Sequence, residues 1–310
     1  MTISNKGRIN RRWLPLNALR AFEAVGQHRS FTAGAAALSV SQSAMSRHVS
    51  ALEELLGKQL FEREASGLAL TPVGAELLPV VTKSLDRIEQ AMNGIRDDQS
   101  AHRMLRLHVP PSILQQEFLP ILGRFRREFP NIRLDISSSN VTGLPVHALD
   151  MAIIYDRPHV DDQVTDLLRM VKVAPLCAPV TAQASANKPL GDFLAEQELL
   201  HIKLDGQSRD HLWSAFVRQQ GLTLQTSDGL AFDTAIAAAQ YTMAGSGVFL
   251  GDIHMFAQEI ADGRLVMPYD IAAEDGYGYF LKLHADDLSD PAISAFRSWM
   301  IKQFDTPHRG

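Results

Sequence analysis

The sequence predicts a multidomain α/β protein, with a winged helix-turn-helix at the N-terminus, one long helix, and a larger region of alternating strands and helices. Three observations predict it. Residues 30–56, SFTAGAAALSVSQSAMSRHVSALEELL, read as two short helices joined by a tight turn. Residues 72–96 carry apolar side chains at heptad spacing. From Arg103 onward, short apolar or alternating runs exchange with helical periodicity. That alternation implies a mostly parallel sheet with helices on both faces.

The first helix lies in LPLNALRAFEAVGQHRSFT, with Leu16, Leu19, Phe22 and Val25 on one face. The second spans Thr32–Leu38 and is rich in alanine, which permits close helix–helix approach. Ser41 is a ready N-cap for the third, because its hydroxyl can accept a bond from an orphan N–H of the next turn. After it, Met45, Val49, Leu52 and Leu56 form one helical face. The opposite face carries Gln42, Ser43, Ser46, Arg47 and Ser50. These short donors and acceptors, with one guanidinium, can bond base edges and phosphate oxygens without repulsion. LGKQLFEREASGLALT reads as a turn and two short strands, a β-hairpin wing. Taken by themselves, residues 30–56 also fit a helical hairpin in a generic core.

The combined string PLNALRAFEAV…RSFTAGAAALSVSQSAMSRHVSALEELLGKQLFER…LTPVG resembles the N-terminus of LysR-type transcriptional regulators, without a gap from Pro15 to Gly74. Within that family the resemblance is to the glycine-cleavage and β-lactamase regulator subgroup. With it, the expected DNA contacts are Ser30, Thr32, Ser41, Gln42, Ser43, Ser46, Arg47 and Arg63. The partner implied is double-stranded DNA, a pseudo-palindromic operator read by a homodimer or homotetramer, with RNA polymerase as a further partner. The wing departs from the family pattern. It reads Arg63-Glu64-Ala65-Ser66-Gly67 where relatives often carry more arginines, which leaves Arg63 as its main phosphate contact. A basic arm with Arg8, Arg11 and Arg12 is placed to compensate.

Charge is unevenly distributed. The chain of 310 residues has a formal net charge of −5, yet residues 1–72 hold nine Lys/Arg against five Asp/Glu, a net of +4. Residues beyond 103 sum to −8, so the basic segment is the one that would meet phosphates. A chance fluctuation could also give +4. One cysteine, Cys177, excludes an internal disulfide framework. No apolar run is long enough to span a membrane, and no apolar signal-peptide core follows the basic start, so a cytoplasmic location is expected.

Thr71-Pro72 is a helix start, a cap followed by Pro at the first helical position. Leu78, Val81, Leu85, Ile88, Met92 and Ile95 then follow at alternating spacings of three and four. So narrow a stripe usually pairs with a like helix, and a recognition helix reading half a palindrome needs a twin at fixed spacing. The alternative is an amphipathic helix packed on its own domain. Pro79 removes one backbone bond, and a kink is expected near Ala75–Leu78.

In the C-terminal region Leu105, Leu107 and Val109 alternate as a strand ending at Pro110-Pro111. The next helix buries Phe118, Leu122, Phe125 and Phe129. Further strands are expected at 132–136, 151–155, 174–177, 200–203, 247–250 and 277–283, and helices at 210–220, 233–244, 254–262 and 291–303. "ELLHIKL", "AGSGVFLGD" and "GRLVMPY" are similar to pieces of LysR-type effector domains. That resemblance implies two α/β lobes of periplasmic-binding-protein type, with crossings near Arg157–Thr165 and Pro268–Glu274. The expected organisation is an arm at 1–13, a winged helix-turn-helix at 14–71, a dimerisation helix at 72–102 and an effector domain at 103–310. Lobe I comprises 103–164 and 271–310, and lobe II 165–270.

Chemistry-bearing motifs are scarce. The 11 histidines are scattered without metal-ligand spacing, and Cys177 lies in an apolar strand as a small hydrophobe. Ala244-Gly245-Ser246-Gly247 lacks the first glycine of G-x-S-x-G and reads as a helix end turning into a strand. No P-loop or G-x-G-x-x-G appears. No metal, cofactor or catalytic residue is therefore expected. A small-molecule site is better supported, because Ser112 and Thr234 open helices whose N-termini can face an inter-lobe cleft. Ser137, Ser138 and Ser139 follow a strand end and cannot be ranked among themselves. By alignment with similar regulators, Ser112, Ser138, His201 and Thr234 are the expected effector contacts, although all four also fit simple caps and turns. The expected effector is a carboxylate or an amino acid. Pro110-Pro111 stiffens the backbone before the first of these helices, a departure that weakens close ligand analogy. The competing function is a solute-binding protein or enzyme built on the C-terminal domain.

Overall fold

The computed structural model describes residues 9, 14–64, 67–96, 102–139, 149–159 and 163–305. Arg8, Arg11 and Arg12 of the arm, and Ala65 and Ser66 of the wing, lie outside them. The chain divides into two compact units, Met1–Ala101 and His102–Gly310.

The first unit holds α1 (Leu16–His28), α2 (Phe31–Ala37), α3 (Gln42–Leu56), β1 (Phe61–Glu64), β2 (Gly67–Leu70) and α4 (Pro72–Arg96). Its core gathers Phe22 and Val25 from α1, Ala35 from α2, and Met45, Val49 and Leu52 from α3. Leu16, expected on the same face as Phe22, is exposed at the start of α1. The small residues of α2 do permit close approach. A methyl at Gly34 would sit 3.0 Å from the Val25 backbone nitrogen. The wing pairs antiparallel from Phe61↔Leu70 to Glu64↔Gly67. Glu53 of α3 fixes its entry, since Oε1 accepts the N–H of Leu60 (2.8 Å) and Phe61 (3.4 Å). The Phe61 ring then packs on Phe22 and Phe31.

Thr71 caps α4 as expected, its Oγ1 accepting the Gly74 N–H at 3.1 Å. The helix continues through Pro79 to Arg96. The apolar seam divides in two. Leu77, Leu78, Val81 and Leu85 pack on the core of their own unit, with Val81 only 5% exposed. Farther along, Ile88 is 50% and Met92 61% exposed. The side chain of Ile95 lies outside the described residues.

The second unit follows the order β3 (Arg103–His108), α5 (Pro111–Ile113), a π turn (Leu114–Phe118), α6 (Leu119–Glu128), β4 (Ile132–Ser137), β5 (Met151–Asp156) and β6 (Val164–Cys177). There follow α7 (Pro179–Ala182), α8 (Leu190–Ala195), β7 (Leu199–Ile202), α9 (His211–Gln219), β8 (Ala231–Phe232) and α10 (Ala235–Met243). The last elements are β9 (Val248–Asp252), α11 (Ala257–Ala261), β10 (Ala273–Leu283) and α12 (Pro291–Asp305). Among the described residues eight strands run in the order β4-β3-β5-β10-β6-β9-β7-β8.

The sheet is mixed rather than mostly parallel. β3 pairs parallel with β4 and β5, and β7 pairs parallel with β8 and β9. The centre is antiparallel, because β10 runs against β5 and β6, and β6 runs against β9. β6 and β10 belong to both halves. Residues 164–170 pair with 278–283 in the half holding β3–β5, lobe I. Residues 173–177 pair with β9 in lobe II. The passages between lobes thus lie later than 157–165 and 268–274, since they occur inside two long strands and not in loops between strands. The helices pack an aromatic core in lobe I, where Phe125 of α6 meets Phe296 and Trp299 of α12 at 5.1 Å each.

Cys177 ends β6 fully buried, and burial pushes its thiol up to about 11. A thiol this high is almost wholly protonated at pH 8 and has no solvent path. A thiol-specific disulfide reagent is therefore expected to label Cys177 only after denaturation, which timed absorbance at pH 8 will check.

Candidate nucleic-acid interface and cavity

α3 presents the face that its sequence pattern predicts. Met45, Val49 and Leu52 point inward, while Gln42, Ser43, Ser46, Arg47 and Ser50 are exposed. From Gln42 to Ala51 the helix carries no carboxylate. Two expected contacts are N-caps. Ser30 Oγ accepts the Ala33 N–H (3.3 Å) at α2, and Ser41 Oγ accepts the Ala44 N–H (3.2 Å) at α3. Ser41 Oγ also lies 3.1 Å from Ser43 Oγ, so one hydroxyl bonds the other at the tip of α3. Thr32 is exposed in the first turn of α2, and Arg63 is exposed on β1 opposite Leu68. The structure thus brings Gln42, Ser43, Ser46 and Arg47 onto one accessible surface, with Ser30 and Ser41 fixing the helices that carry it.

In the second unit a cavity of about 610 Å³ opens between the lobes. Lobe I lines it with His108, Ser112, Ser139 and the strand Ile153–Asp156, and lobe II with Ile202–Asp205, Asp233–Ala235 and Asp252. Val171, Val173, Tyr277 and Tyr279 of the crossing strands complete the wall. Of the four expected contacts, Ser112 and Thr234 line this space. Ser112 lies in the three-residue α5, and the chain passes from it directly into the π turn. Thr234 is the N-cap of α10, where its Oγ1 accepts the Ala237 N–H at 3.1 Å.

The other two do not line the cavity. Ser138 donates its hydroxyl to the Val109 carbonyl at 2.8 Å, and Ser139 lines the space instead. His201 is buried in β7 with Nε2 against the Asp228 carbonyl at 2.8 Å. Strand alternation explains the miss, for the neighbouring Ile202 faces the cavity. His108 sits in the wall with Nε2 3.2 Å from the Ser139 carbonyl, so that nitrogen carries the proton. Burial lowers this imidazole below its ordinary value, against the opposing pull of the Ser139 carbonyl.

An ionic cluster missed in the sequence joins the lobes beside the cavity. Arg169 of β6 donates from Nη1 and Nη2 to both Glu117 oxygens (2.9 and 2.7 Å), and from Nη2 to Asp252 Oδ2 (2.9 Å). Glu117 belongs to the π turn of lobe I and Asp252 ends β9 of lobe II. Its neighbour Gln116 also reaches lobe II, donating to Glu259 Oε1 at 3.1 Å. No local signal marks these residues, because the partners lie 52, 83 and 143 positions apart. Tyr155 stacks on Tyr277 at 4.9 Å, and Arg157 covers the Tyr277 ring at 4.8 Å.

A helix-turn-helix with a polar exposed third helix, and a separate two-lobed sheet enclosing a cavity, form a combination that comparison with known proteins resolves. The model described as "LysR substrate binding domain" matches residues 98–305. A second, "Bacterial regulatory helix-turn-helix protein, lysR family", matches residues 16–75. The chain belongs to the LysR family. The HTH-type transcriptional activator AmpR of Rhodobacter capsulatus is 33% identical over 294 residues, which cover 94% of this chain and 97% of the relative. The glycine cleavage system transcriptional activator of Escherichia coli (strain K12) is 29% identical over 295 residues, covering 94% and 95%. The solved structure of ArgP from Mycobacterium tuberculosis shares the fold, with a TM-score of 0.73 at 18% identity over 94% of this chain and 98% of that one. This LysR-family chain is a transcriptional regulator with a DNA-binding domain and an effector-binding domain, and not an enzyme. Among its described residues no helix is long and apolar enough to cross a membrane.

Proposed function

We infer that this regulator reads a pseudo-palindromic operator as a homo-oligomer in the cytoplasm and answers a small polar effector held in the inter-lobe cavity. The carboxylate-free exposed face of α3 carries the reading. The proposed DNA contacts are Gln42, Ser43, Ser46 and Arg47 on that face, Ser30, Thr32 and Ser41 at the helix starts, and Arg63 on the wing. The proposed effector contacts are Ser112 and Thr234, with His108 and Ser139 added from the geometry. The effector is a carboxylate or an amino acid of a size the cavity admits, and RNA polymerase is the partner through which occupancy acts. The proposed domains are an arm at 1–13, a DNA-binding domain at 14–71, a dimerisation helix at 72–102 and an effector domain at 103–310, whose lobes meet within β6 and β10. Binding across both lobes favours one lobe arrangement, and only such differential affinity can shift the DNA-bound state.

Arg47→Ala is expected to weaken binding of the DNA beside its own gene about tenfold, since a bidentate base contact is worth about 1–3 kcal/mol of discrimination. Oligomer mass should not change. Arg63→Ala should instead lower the salt slope by about one unit, the loss of one phosphate contact. Fluorescence anisotropy over a salt series separates the two. Unchanged affinity in Arg47→Ala at moderate salt would show that α3 presents another face to DNA.

A further inference from the structure

The ion cluster that joins the lobes also forms part of the cavity's boundary, and its charges do not balance. Two carboxylates share one guanidinium, with side-chain exposures of 15% for Arg169 and 5% each for Glu117 and Asp252. The cluster therefore holds one surplus negative charge away from water. Glu117 takes the bidentate grip of Arg169. Asp252 has one bond from Arg169 at Oδ2 and the His254 N–H at Oδ1, 3.1 Å. Of the three, only Asp252 lines the cavity. Burial raises its carboxyl from the ordinary aspartate value, with the charge of Arg169 opposing. An unbalanced charge in a low-dielectric site is costly until a counter-charge arrives.

The surroundings favour a cation. Tyr277 and Tyr279 line the same space and already lie against cations, Arg157 at 4.8 Å from the Tyr277 ring and Arg169 at 6.0 Å from the Tyr279 ring. Along the rest of the lining Lys203 pairs with Asp233 at 2.9 Å, which leaves Asp156 and Asp205 against Lys282. A plain carboxylate meeting Asp252 would add like charge to the surplus. An ammonium group would cancel it.

We propose that Asp252 is the specificity-determining residue of the cavity, selecting an effector that carries a protonated amine, which pairs with the Asp252 carboxylate beside Arg169. This rests on the reading of the cavity as the effector site. The ligand class is thereby narrowed to amino acids and other amine-bearing molecules, and plain carboxylates are discriminated against. The amine would meet the same carboxylate that holds the lobes together, so occupancy and lobe arrangement are coupled at one residue.

The test uses full-length protein and matched probes: the twenty L-amino acids, their Nα-acetyl derivatives, and the corresponding carboxylic acids lacking the amine. Thermal shift finds the binders and isothermal titration measures Kd. Wild type is expected to bind only amine-bearing members. For the best of these, Asp252→Asn should weaken binding at least tenfold, while its discrimination against the des-amino analogue collapses. Asp252→Asn leaves Arg169 paired with Glu117 and removes the surplus charge, so the variant should fold, which circular dichroism checks. Ala235→Phe, adding a ring to the cavity lining, separates the two readings. If Ala235→Phe abolishes binding but Asp252→Asn does not change Kd, the cavity is the site and the role of Asp252 is overturned. If neither variant changes Kd, the ligand sits elsewhere and both readings fall. Des-amino carboxylates binding as tightly as amino acids, or no amine-bearing member shifting Tm, also overturns the proposal.

Discussion

Arg169→Met is expected to destabilise the effector domain by about 3–5 kcal/mol at pH 7, because it strands Glu117 and Asp252 together without their shared cation. The methionine fills much of the arginine stem's volume, so the loss reports charge more than packing. Urea unfolding followed by fluorescence measures it. The deficit should depend on pH with a definite sign. A carboxyl whose folded-state value is raised above its unfolded value contributes stability below the unfolded value, and loses that contribution as pH rises through the folded one. Asp252 is already raised by burial with Arg169 present, and removing Arg169 takes away the opposing charge. The gap between variant and wild type should therefore narrow as pH falls from 7 toward the ordinary carboxylate range. A deficit that stays constant over that range would assign the loss to packing.

Ile88→Asp is expected to give soluble monomers whose operator affinity is at least about a hundredfold below wild type, since one half-site contact loses its tethered twin. Among the described residues, Ile88 and Met92 are the large apolar side chains that α4 leaves exposed in its distal half. Buried in an interface with a second chain, a carboxylate there would lack a partner, at a cost of several kcal/mol per chain. Leu85→Asp should fail differently. Leu85 packs on the core of the DNA-binding unit, so its replacement lowers Tm before it tests assembly. Sedimentation with thermal melting distinguishes the two outcomes. A soluble Ile88→Asp oligomer that binds operator normally would place the interface elsewhere.

The N-terminal unit was legible because its determinants are local. Caps at Ser41 and Thr71, the α3 face and the wing all follow from residues within a few turns of one another, whereas the cap at Ser30 was not read because the second helix was placed one residue late, at Thr32–Leu38. The heptad seam was legible as a pattern but not in its division, because periodicity does not say which apolar residues meet their own domain. In the effector domain the lobes were readable through alternation and resemblance. The mixed sheet was not, since β6 and β10 acquire their antiparallel neighbours only by tertiary pairing. β6 was seen only at its apolar end, 174–177, because residues 164–170 interrupt the apolar run with Asp166, which pairs with Arg297 of α12, and Arg169, which pairs with Glu117 and Asp252. At the cavity, helix-start reasoning located Ser112 and Thr234. Alignment with similar regulators proposed His201 and Ser138, which do not line the cavity, because facing there depends on the register of a strand and the turn beyond it. Glu117, Arg169 and Asp252 were invisible because their association is non-local.

The interleaving of the two lobes has a consequence for how the chain is made. Lobe I is built from residues 103–170 and again from 278–305, with all of lobe II synthesised in between. While lobe II is emerging, β5 has no β10 beside it and Phe125 has neither Phe296 nor Trp299. Lobe II, whose strands β9, β7 and β8 are consecutive in sequence apart from the β6 end, can close on itself first. Lobe I must wait with an open strand edge and an uncovered aromatic cluster until residues 278–305 arrive. Non-local closure of this kind is slow and leaves surface open to aggregation. The segment after lobe II is thus the step on which the nascent regulator's folding depends, and loss of α12 would be felt in β3 and β6, the strands it packs on.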